Sequence, residues 1–385
     1  MTPNARYAAA IEILDEILTG ASAEQVLTHW ARSHRFAGSK DRAAIRDICF
    51  DIMRRRCEAE ALGGSLTGRG LAIGYLRLME NDPESVFTGE GYAPSTLTDV
   101  ELANEGLLAD WTKLNLPDWM QKFVAEGDEP EFLAQNSRAP VFLRVNIKKS
   151  DVDQAIAALR KEDVETRVHS EVSGCLEVIS GERRIAQSRA YQQGLVELQD
   201  AGSQAVVVAL DLPNEPDAKI LDYCAGGGGK TLHMAALSQA QIHAHDAYVA
   251  RMKDIPVRAK RAGAKVHIFQ ELKDASDYDF ILVDAPCSGS GAWRRNPDGK
   301  WKLTEAGLQE TVILQSEILN KVLSFTHART RIGYVTCSLL DVENYAQIQG
   351  FLKAHPKWTI EKEGRFLPSM GMDGFYYCQL VQESF

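Results

Sequence analysis

KILDYCAGGGGKT (219–231) reads as a short apolar strand, four consecutive glycines and the opening of a helix. Beyond it, further apolar runs are separated by helical stretches: QIHAHD (241–246), KVHIF (265–269), DFILVDAP (279–286) and RIGYVTCS (331–338). Strands covered on both faces lack the polar alternation of a half-exposed sheet, and their alternation with helices predicts a parallel, doubly wound α/β domain over residues 204–385. Ligands in such sheets sit beyond the carboxyl ends of the strands. The glycine run, DAPCSG and TCS all fall at such ends.

Glycine lets a turn close tightly and lets a ligand touch backbone. Three ligand uses compete for this one, beside a bare strand–helix turn. A P-loop needs glycine at the first position of GxxxxGK[ST], and counting back from Gly229-Lys230-Thr231 gives Cys224, so that spacing fails. A dinucleotide fingerprint beginning at Gly226 would need a small residue where Thr231 stands. The third use is an adenosylmethionine site, whose next strand should end in an acid for the ribose hydroxyls. Asp246 closes QIHAHD at about the right distance, roughly 20 residues on.

Two of the seven cysteines sit on the same sheet edge, Cys287 in DAPCSG and Cys337 in TCS. Buried cysteines usually act as small hydrophobes, the reading given to Cys49, Cys175 and Cys378. Loops of Asp, Pro, Ser, Gly and Thr offer Cys287 and Cys337 no core to fill. Paired thiols suit one chemistry well. Carbon 5 of a pyrimidine is a poor nucleophile, but a thiolate adding at carbon 6 makes it enamine-like. After methyl transfer the carbon 5 proton must leave and the thiol must be eliminated, so a second group helps to finish what the first thiol begins. A free thiol, with a pKa of about 8.5, is only slightly ionised at neutral pH. Lys230, Arg294 and Lys300 are candidate cations to ionise it, and Asp284 a candidate partner for the ring nitrogen 3 as charge develops there.

Upstream the pattern changes. VFLRVN (141–146), a helical stripe of Val152, Ile156 and Leu159 behind a Ser150 N-cap, and strands near 164–168 and 175–179 predict a small α+β module over 126–203, ferredoxin-like in order. Residues 76–125 read as a helical connector. Residues 1–75 read as a helical bundle, with Ile11, Leu14 and Leu18 on one stripe and Ile45, Ile48, Cys49, Ile52 and Met53 on another. GGSLTGRG (63–70) reads as a loop.

Composition bounds the rest. The 385 residues are 45% hydrophobic and 25% charged, ordinary for a globular chain. The net charge of -10 excludes a globally basic nucleic-acid binder but not a local basic groove. No window reaches the ~18 apolar residues of a membrane helix, and Glu12, Asp15 and Glu16 spoil the N-terminus as a signal peptide. The cysteines are scattered with no CxxC pair, which argues against a disulfide framework or structural zinc, so the expected metal complement is none and the expected compartment is cytoplasmic.

With the motifs in place, the chain resembles the NOL1/NOP2/Sun RNA 5-methylcytosine methyltransferases. DYCAGGGGKT is similar to that family's DxCAxPGGKT loop, with Gly227 where proline is usual. DAPCSGSGAWRRNPDGKW, GYVTCSLLDVENYAQI and DGFYYCQL resemble its later segments, and FLRVN with VELQDAGSQAVV its upstream ones. The resemblance implies a Rossmann-like class I methyltransferase domain behind the small α+β module and a NusB-like, RNA-binding all-α bundle. It implies Cys337 as nucleophile and Cys287 as the group that assists product release. It implies S-adenosyl-L-methionine held by Cys224, Ala225, Gly226, Gly227, Gly228, Gly229, Lys230, Asp246 and Asp284, with Asp284 also facing the base. The adenine-side residue would lie near Gln270 or Glu271. The implied substrate is a cytosine in RNA, 16S ribosomal RNA in particular, for a monomer without a membrane partner.

RNA binding by an acidic chain must come from local charge. Candidate clusters are Arg54, Arg55 and Arg56; Arg138, Arg144, Lys148 and Lys149; and Arg294, Arg295, Lys300 and Lys302 beside Trp293. The last mixes an aromatic with cations next to Cys287, which suits an extruded nucleotide. Two rival functions are weighed. A DNA cytosine-5 methyltransferase would use Cys287, after Pro286, as nucleophile. A non-catalytic RNA-binding assembly factor would need neither paired thiols nor the glycine loop.

Overall fold

The computed structural model describes residues 1–272 and 277–383, which fall into two units. The first holds residues 1–138 together with 293–304, and the second holds 139–292 and 305–385. The bundle and connector read separately in the sequence thus share the first unit, and both sheets share the second.

In the first unit, helix Pro3–Leu18 begins where Thr2 accepts from the Ala5 amide and Pro3 supplies a preset φ. It buries Ala10, Ile13, Leu14 and Ile17. Helix Ser39–Arg54 buries Ile45, Cys49, Ile52 and Met53 against it, in one cluster with Trp30, Leu71 and Ile73. GGSLTGRG is only partly a loop: Thr67 caps helix Gly68–Leu78 by accepting from the Gly70 amide. The glycines serve close helix approach. A Cβ on Gly74 would lie 1.7 Å from the Ala59 carbonyl oxygen of the neighbouring helix Arg56–Gly63.

The second unit opens with β1 (Val141–Val145), β2 (Glu165–Val168), β3 (Cys175–Ser180) and β4 (Val196–Leu198). They form an antiparallel sheet in the order β2-β3-β1-β4. Its helix, Val152–Arg160, is capped one residue later than expected. Asp151, not Ser150, accepts from the Gln154 amide, while the Ser150 hydroxyl donates to the Asp151 carbonyl.

The second sheet contains β5 (Lys219–Asp222), β6 (Gln241–His245), β7 (His267–Phe269), β8 (Tyr278–Asp284), β9 (Thr326–Thr336), β10 (Trp358–Phe366) and β11 (Phe375–Gln382). Among the described residues it has seven strands, ordered β10-β11-β9-β8-β5-β6-β7. β5 through β9 run parallel, as the apolar runs predict. The antiparallel pair β10 and β11 extends the sheet beyond β9 and escapes that prediction, because an edge strand exposed on one side alternates (WTIEKEGRF) and carries no continuous apolar run. Strand order reverses between β5 and β8. The crevice of a doubly wound sheet opens at such a reversal, here between the glycine turn and the Cys287 loop. No helix among the described residues is long and apolar enough to cross a membrane.

Candidate active site

The glycine turn leaves β5 at Asp222 and enters helix Gly229–Leu237. Gly228 has φ +81°, and a Cβ there would press within 2.8 Å of Ile255. Asp246, at the end of β6, pins the turn: Gly226 N–H donates to one carboxylate oxygen at 2.9 Å and Tyr248 N–H to the other at 2.8 Å. A Cβ on Gly229 would meet nothing nearer than Gln199 Nε2 at 4.0 Å, so the turn's surface is open there.

Beneath the turn lies a ladder of buried polar groups. Thr231 Oγ1 donates to Asp222 Oδ2 at 2.6 Å, and Asp222 Oδ1 is buried without a partner. Burial pushes the Asp222 carboxyl up to about 7. Lys230 Nζ donates to Asp284 Oδ2 at 2.8 Å. Burial works against the Lys230 charge, but Asp284 opposite and Cys337 nearby favour it, and the ammonium is held above its ordinary range.

Cys287 and Cys337, from the loops after β8 and β9, meet with their sulfurs 3.3 Å apart. Both are free thiols and half-buried. The Cys337 sulfur and burial push the Cys287 thiol up, with the Glu343 carboxylate adding to the effect. Backbone ties fix the approach: Ala285 N–H donates to the Val335 carbonyl and Gly291 N–H to the Cys337 carbonyl, each at 2.9 Å.

Sequence reasoning assigned no role to Glu343, yet it joins the two loops. Its fully buried carboxylate accepts from Ser288 N–H at 2.7 Å, from Gln315 Nε2 at 3.0 Å, and from the hydroxyls of Ser288 and Ser338. Asn344 Nδ2 donates to the Ser338 carbonyl at 3.0 Å. An acid six residues after Cys337, on the way into helix Tyr345–Ala354, was the available signal.

The glycine-turn residues, Lys230, Asp246 and Asp284 therefore gather along one edge with Cys287 and Cys337. Cys224 lies in the turn with a mostly buried thiol that burial pushes up. The basic residues do not follow. Arg144 is buried and donates to Gln199 Oε1 at 2.6 Å. Arg294 and Lys300 are buried inside the helical unit, where Arg54 Nε donates to the Arg294 carbonyl at 2.7 Å and Lys300 Nζ to the Arg54 carbonyl at 3.2 Å. Of Arg144, Arg294, Arg295 and Lys300, only Arg295 is exposed. Burial removes the others from contact with a phosphate, which corrects the surface reading of that cluster.

A family model described as 16S rRNA methyltransferase RsmB/F matches residues 207–381. This part of the chain is similar to that family. The RsmB/F match spans β5 to β11 and so contains the glycine turn, both cysteines and Glu343. Along nearly its whole length the chain is similar to ribosomal RNA small subunit methyltransferase B of Enterobacter sp. (strain 638), at 28% identity over 99% of each chain. The corresponding protein of Sodalis glossinidius (strain morsitans) is also 28% identical, over 90% of each. Two solved structures share the fold. The crystal structure of PH0851 has a TM-score of 0.74 at 23% identity, covering 99% of both chains. A methyltransferase homolog protein from Pyrococcus horikoshii has a TM-score of 0.61 at 22% identity, covering 71% of this chain and 98% of its own.

Proposed function

We propose that this RsmB/F methyltransferase transfers a methyl group from S-adenosyl-L-methionine to carbon 5 of a cytosine in ribosomal RNA, 16S RNA in particular, through a transient bond between Cys337 and carbon 6. The observation that carries the reading is the meeting of two free thiols, 3.3 Å apart, on the strand edge that bears the glycine turn and the Lys230–Asp284 pair.

The residues fit the cofactor. The open turn of residues 224–230 offers backbone to its amino-acid end, and Asp246, each of whose oxygens takes one backbone N–H, keeps lone pairs for ribose hydroxyls. When bound, the cofactor supplies an electrophilic methyl group and leaves as a neutral thioether.

The remaining work belongs to this chain. Lys230, paired with Asp284, places a positive charge near the Cys337 sulfur. Cys337 sulfur adds to carbon 6, and the carbon 5–carbon 6 electron pair becomes available at carbon 5. Nitrogen 3 takes a proton from water as charge develops there, and Asp284, held by Lys230, accepts a hydrogen bond from the N–H so formed. Once carbon 5 is methylated, its proton and the one on nitrogen 3 pass to water, the double bond reforms, and the carbon–sulfur electron pair returns to Cys337. Cys287 stands beside the sulfur that departs and assists this elimination. The Cys337 sulfur, burial and Glu343 favour the neutral thiol of Cys287.

The test is labelled-methyl transfer to undermethylated ribosomal RNA, with denaturing gels to detect protein bound to RNA. Cys337→Ala should give neither product nor adduct. Cys287→Ala should accumulate an adduct that survives denaturation. An adduct formed by the Cys337 variant would reverse the roles and return the Cys287-first reading.

A further inference from the structure

IPVRAKRA (255–262) forms a helix that buries Ile255 and Ala259, four residues apart, and so turns Arg258 and Arg261 to one flank. At its start it meets the glycine turn. Ile255 is fully buried with Ala225, Ala244 and Met252, and it is the side chain that Gly228 lies against. One turn on, the Arg258 guanidinium donates to the Gly227 carbonyl. The other end of the helix docks on the small sheet and its loops. Asn146 Nδ2 donates to the Ala262 carbonyl at 2.8 Å and Lys149 Nζ to the Arg261 carbonyl at 2.6 Å, carbonyls that a helix leaves without an internal partner. Gly194 has φ +72°, and a Cβ there would fall 2.1 Å from the Arg261 carbonyl oxygen, so the chain entering β4 lies directly against this helix end.

Glu197 of β4 ties the two ends together. Its buried carboxylate accepts from Arg261 Nη2 at 2.9 and 2.7 Å, and its Oε1 lies 3.3 Å from Arg258 Nη2. Arg258 thus holds the Gly227 carbonyl with one nitrogen and a fixed carboxylate with another, a span that suits its rigid, planar fork. The turn has use for such a hold. Glycine has more conformational freedom to lose than any other residue, and a ligand that must order a wandering turn binds more weakly. Gly226 N–H is fixed by Asp246, and Gly228 N–H by the Ala225 carbonyl at 2.8 Å. Gly227 N–H has no acceptor among the described residues, and its carbonyl is the group that Arg258 takes.

We propose that Arg258 is a positioning residue for the cofactor: clamped by Glu197, it holds the Gly227 carbonyl and keeps the glycine turn in the shape that receives the amino-acid end of S-adenosyl-L-methionine. The small antiparallel sheet thereby takes part in building a site that lies on the other sheet. The proposal rests on the cofactor reading above and gives the stiffness of the turn a source outside the turn.

The experiment uses the full chain, first without cofactor. Hydrogen exchange at the amides of residues 225–229 should quicken at least ~10-fold in Arg258→Ala, with exchange in β5 and β8 unchanged. Calorimetric titration with S-adenosyl-L-methionine should then show binding about tenfold weaker, and in methyl transfer the loss should fall on the cofactor KM rather than on kcat. Glu197→Gln, which loosens the clamp but leaves Arg258 in place, should give a smaller change in the same direction. Rescue separates positioning from general stability. Gly227 lies outside the left-handed region and a Cβ on it would meet only the Arg258 guanidinium, so Gly227→Pro added to Arg258→Ala should return exchange and affinity to within about threefold of the parent. Gly227→Ala in the same background should return part of both. Unchanged exchange in Arg258→Ala overturns the proposal, as does faster exchange throughout the second unit. Weaker binding that neither Gly227 variant restores overturns it too, since Arg258 would then touch the cofactor itself. If the unaltered chain binds no S-adenosyl-L-methionine while the turn still loosens in Arg258→Ala, the cofactor reading fails and the hold on the turn stands.

Discussion

Residues 284–292 and 293–302 are contiguous, and both look functional as sequence, but they belong to different units. The first carries Cys287 onto the strand edge of the large sheet. The second, WRRNPDGKWK, lies within the helical unit, where Trp301 Nε1 donates to the Met53 carbonyl at 2.7 Å and the Arg56 guanidinium lies 4.4 Å from the Trp301 ring centre. A cysteine at a strand end is placed by topology, and topology is written in the apolar runs. A cation's meaning depends on whether something packs over it, and that information lies in residues 50–60, hundreds of positions away.

The sharpest way to break the comparison is at the thiols. Cys337→Ala should lower methyl transfer by at least ~10⁴-fold, the scale seen when a covalent nucleophile is removed. Thermal unfolding should barely move, since the residue is half-buried. A variant that retains a hundredth of the activity would deny the sulfur a covalent role.

Next comes the carboxylate joining the two loops. Glu343→Gln keeps the shape but turns one acceptor into a donor facing hydroxyls and an N–H. The loss expected is about 1–3 kcal/mol for a buried group left mispaired. Activity should fall about 10- to 100-fold, because loops displaced by a fraction of an ångström spoil the approach of the two sulfurs. The sulfur–sulfur contact is the readout: adduct accumulation by Cys287→Ala should weaken when Glu343→Gln is added. Unchanged adduct yield in the double variant would make Glu343 a matter of stability alone.

These two effects show what could be read in advance. The glycine turn, Asp246, Asp284 and the paired cysteines were legible because each ends a strand whose apolar run announces it. Glu343 was not, since beyond its distance from Cys337 little in LLDVEN distinguishes it from Asp341 until the fold turns it inward. The cap at Asp151 and the helix beginning at Gly68 were missed for the same kind of reason. Neighbouring candidates compete for one amide, and glycines that look like turn residues instead let two helices touch. Arg144 and Lys300 were misread because charge in a sequence carries no record of burial.

Two titrations should distinguish the units through opposite slopes. Asp222 is raised from 3.8 to about 7, so the folded second unit holds a proton that the unfolded chain releases. Its contribution is full below about pH 4 and is lost as pH rises through about 7. Lys300 is lowered from 10.5 to about 7 by burial, so its contribution is full above about pH 10.5 and lost as pH falls through about 7. Urea midpoints taken from pH 5 to 9 should rise on the acid side in a way that Asp222→Asn abolishes, and on the alkaline side in a way that Lys300→Met abolishes. Identical pH profiles for either variant and the unaltered chain would remove that group from the account.

The smallest effect separates buried from exposed cations within 293–302 itself. Lys300→Met exchanges a buried ammonium for an apolar side chain of similar length, and such exchanges are often neutral or stabilising by about 1–4 kcal/mol. The cost of burying the charge disappears, while the hydrogen bond to the Arg54 carbonyl and the contact of Nζ with the Trp301 ring, 4.8 Å from its centre, are lost. Below pH 7 the variant should therefore be at least as stable as the parent, and its salt slope on RNA should be the same. Arg295→Gln, at an exposed position, should leave stability within about 0.5 kcal/mol. If its guanidinium reaches a phosphate, the slope on single-stranded RNA should fall by about 0.7. A fall of that size from Lys300→Met instead would mean that the segment leaves the helical unit when RNA binds, and the contrast between the two halves of 284–302 would become a contrast between two states.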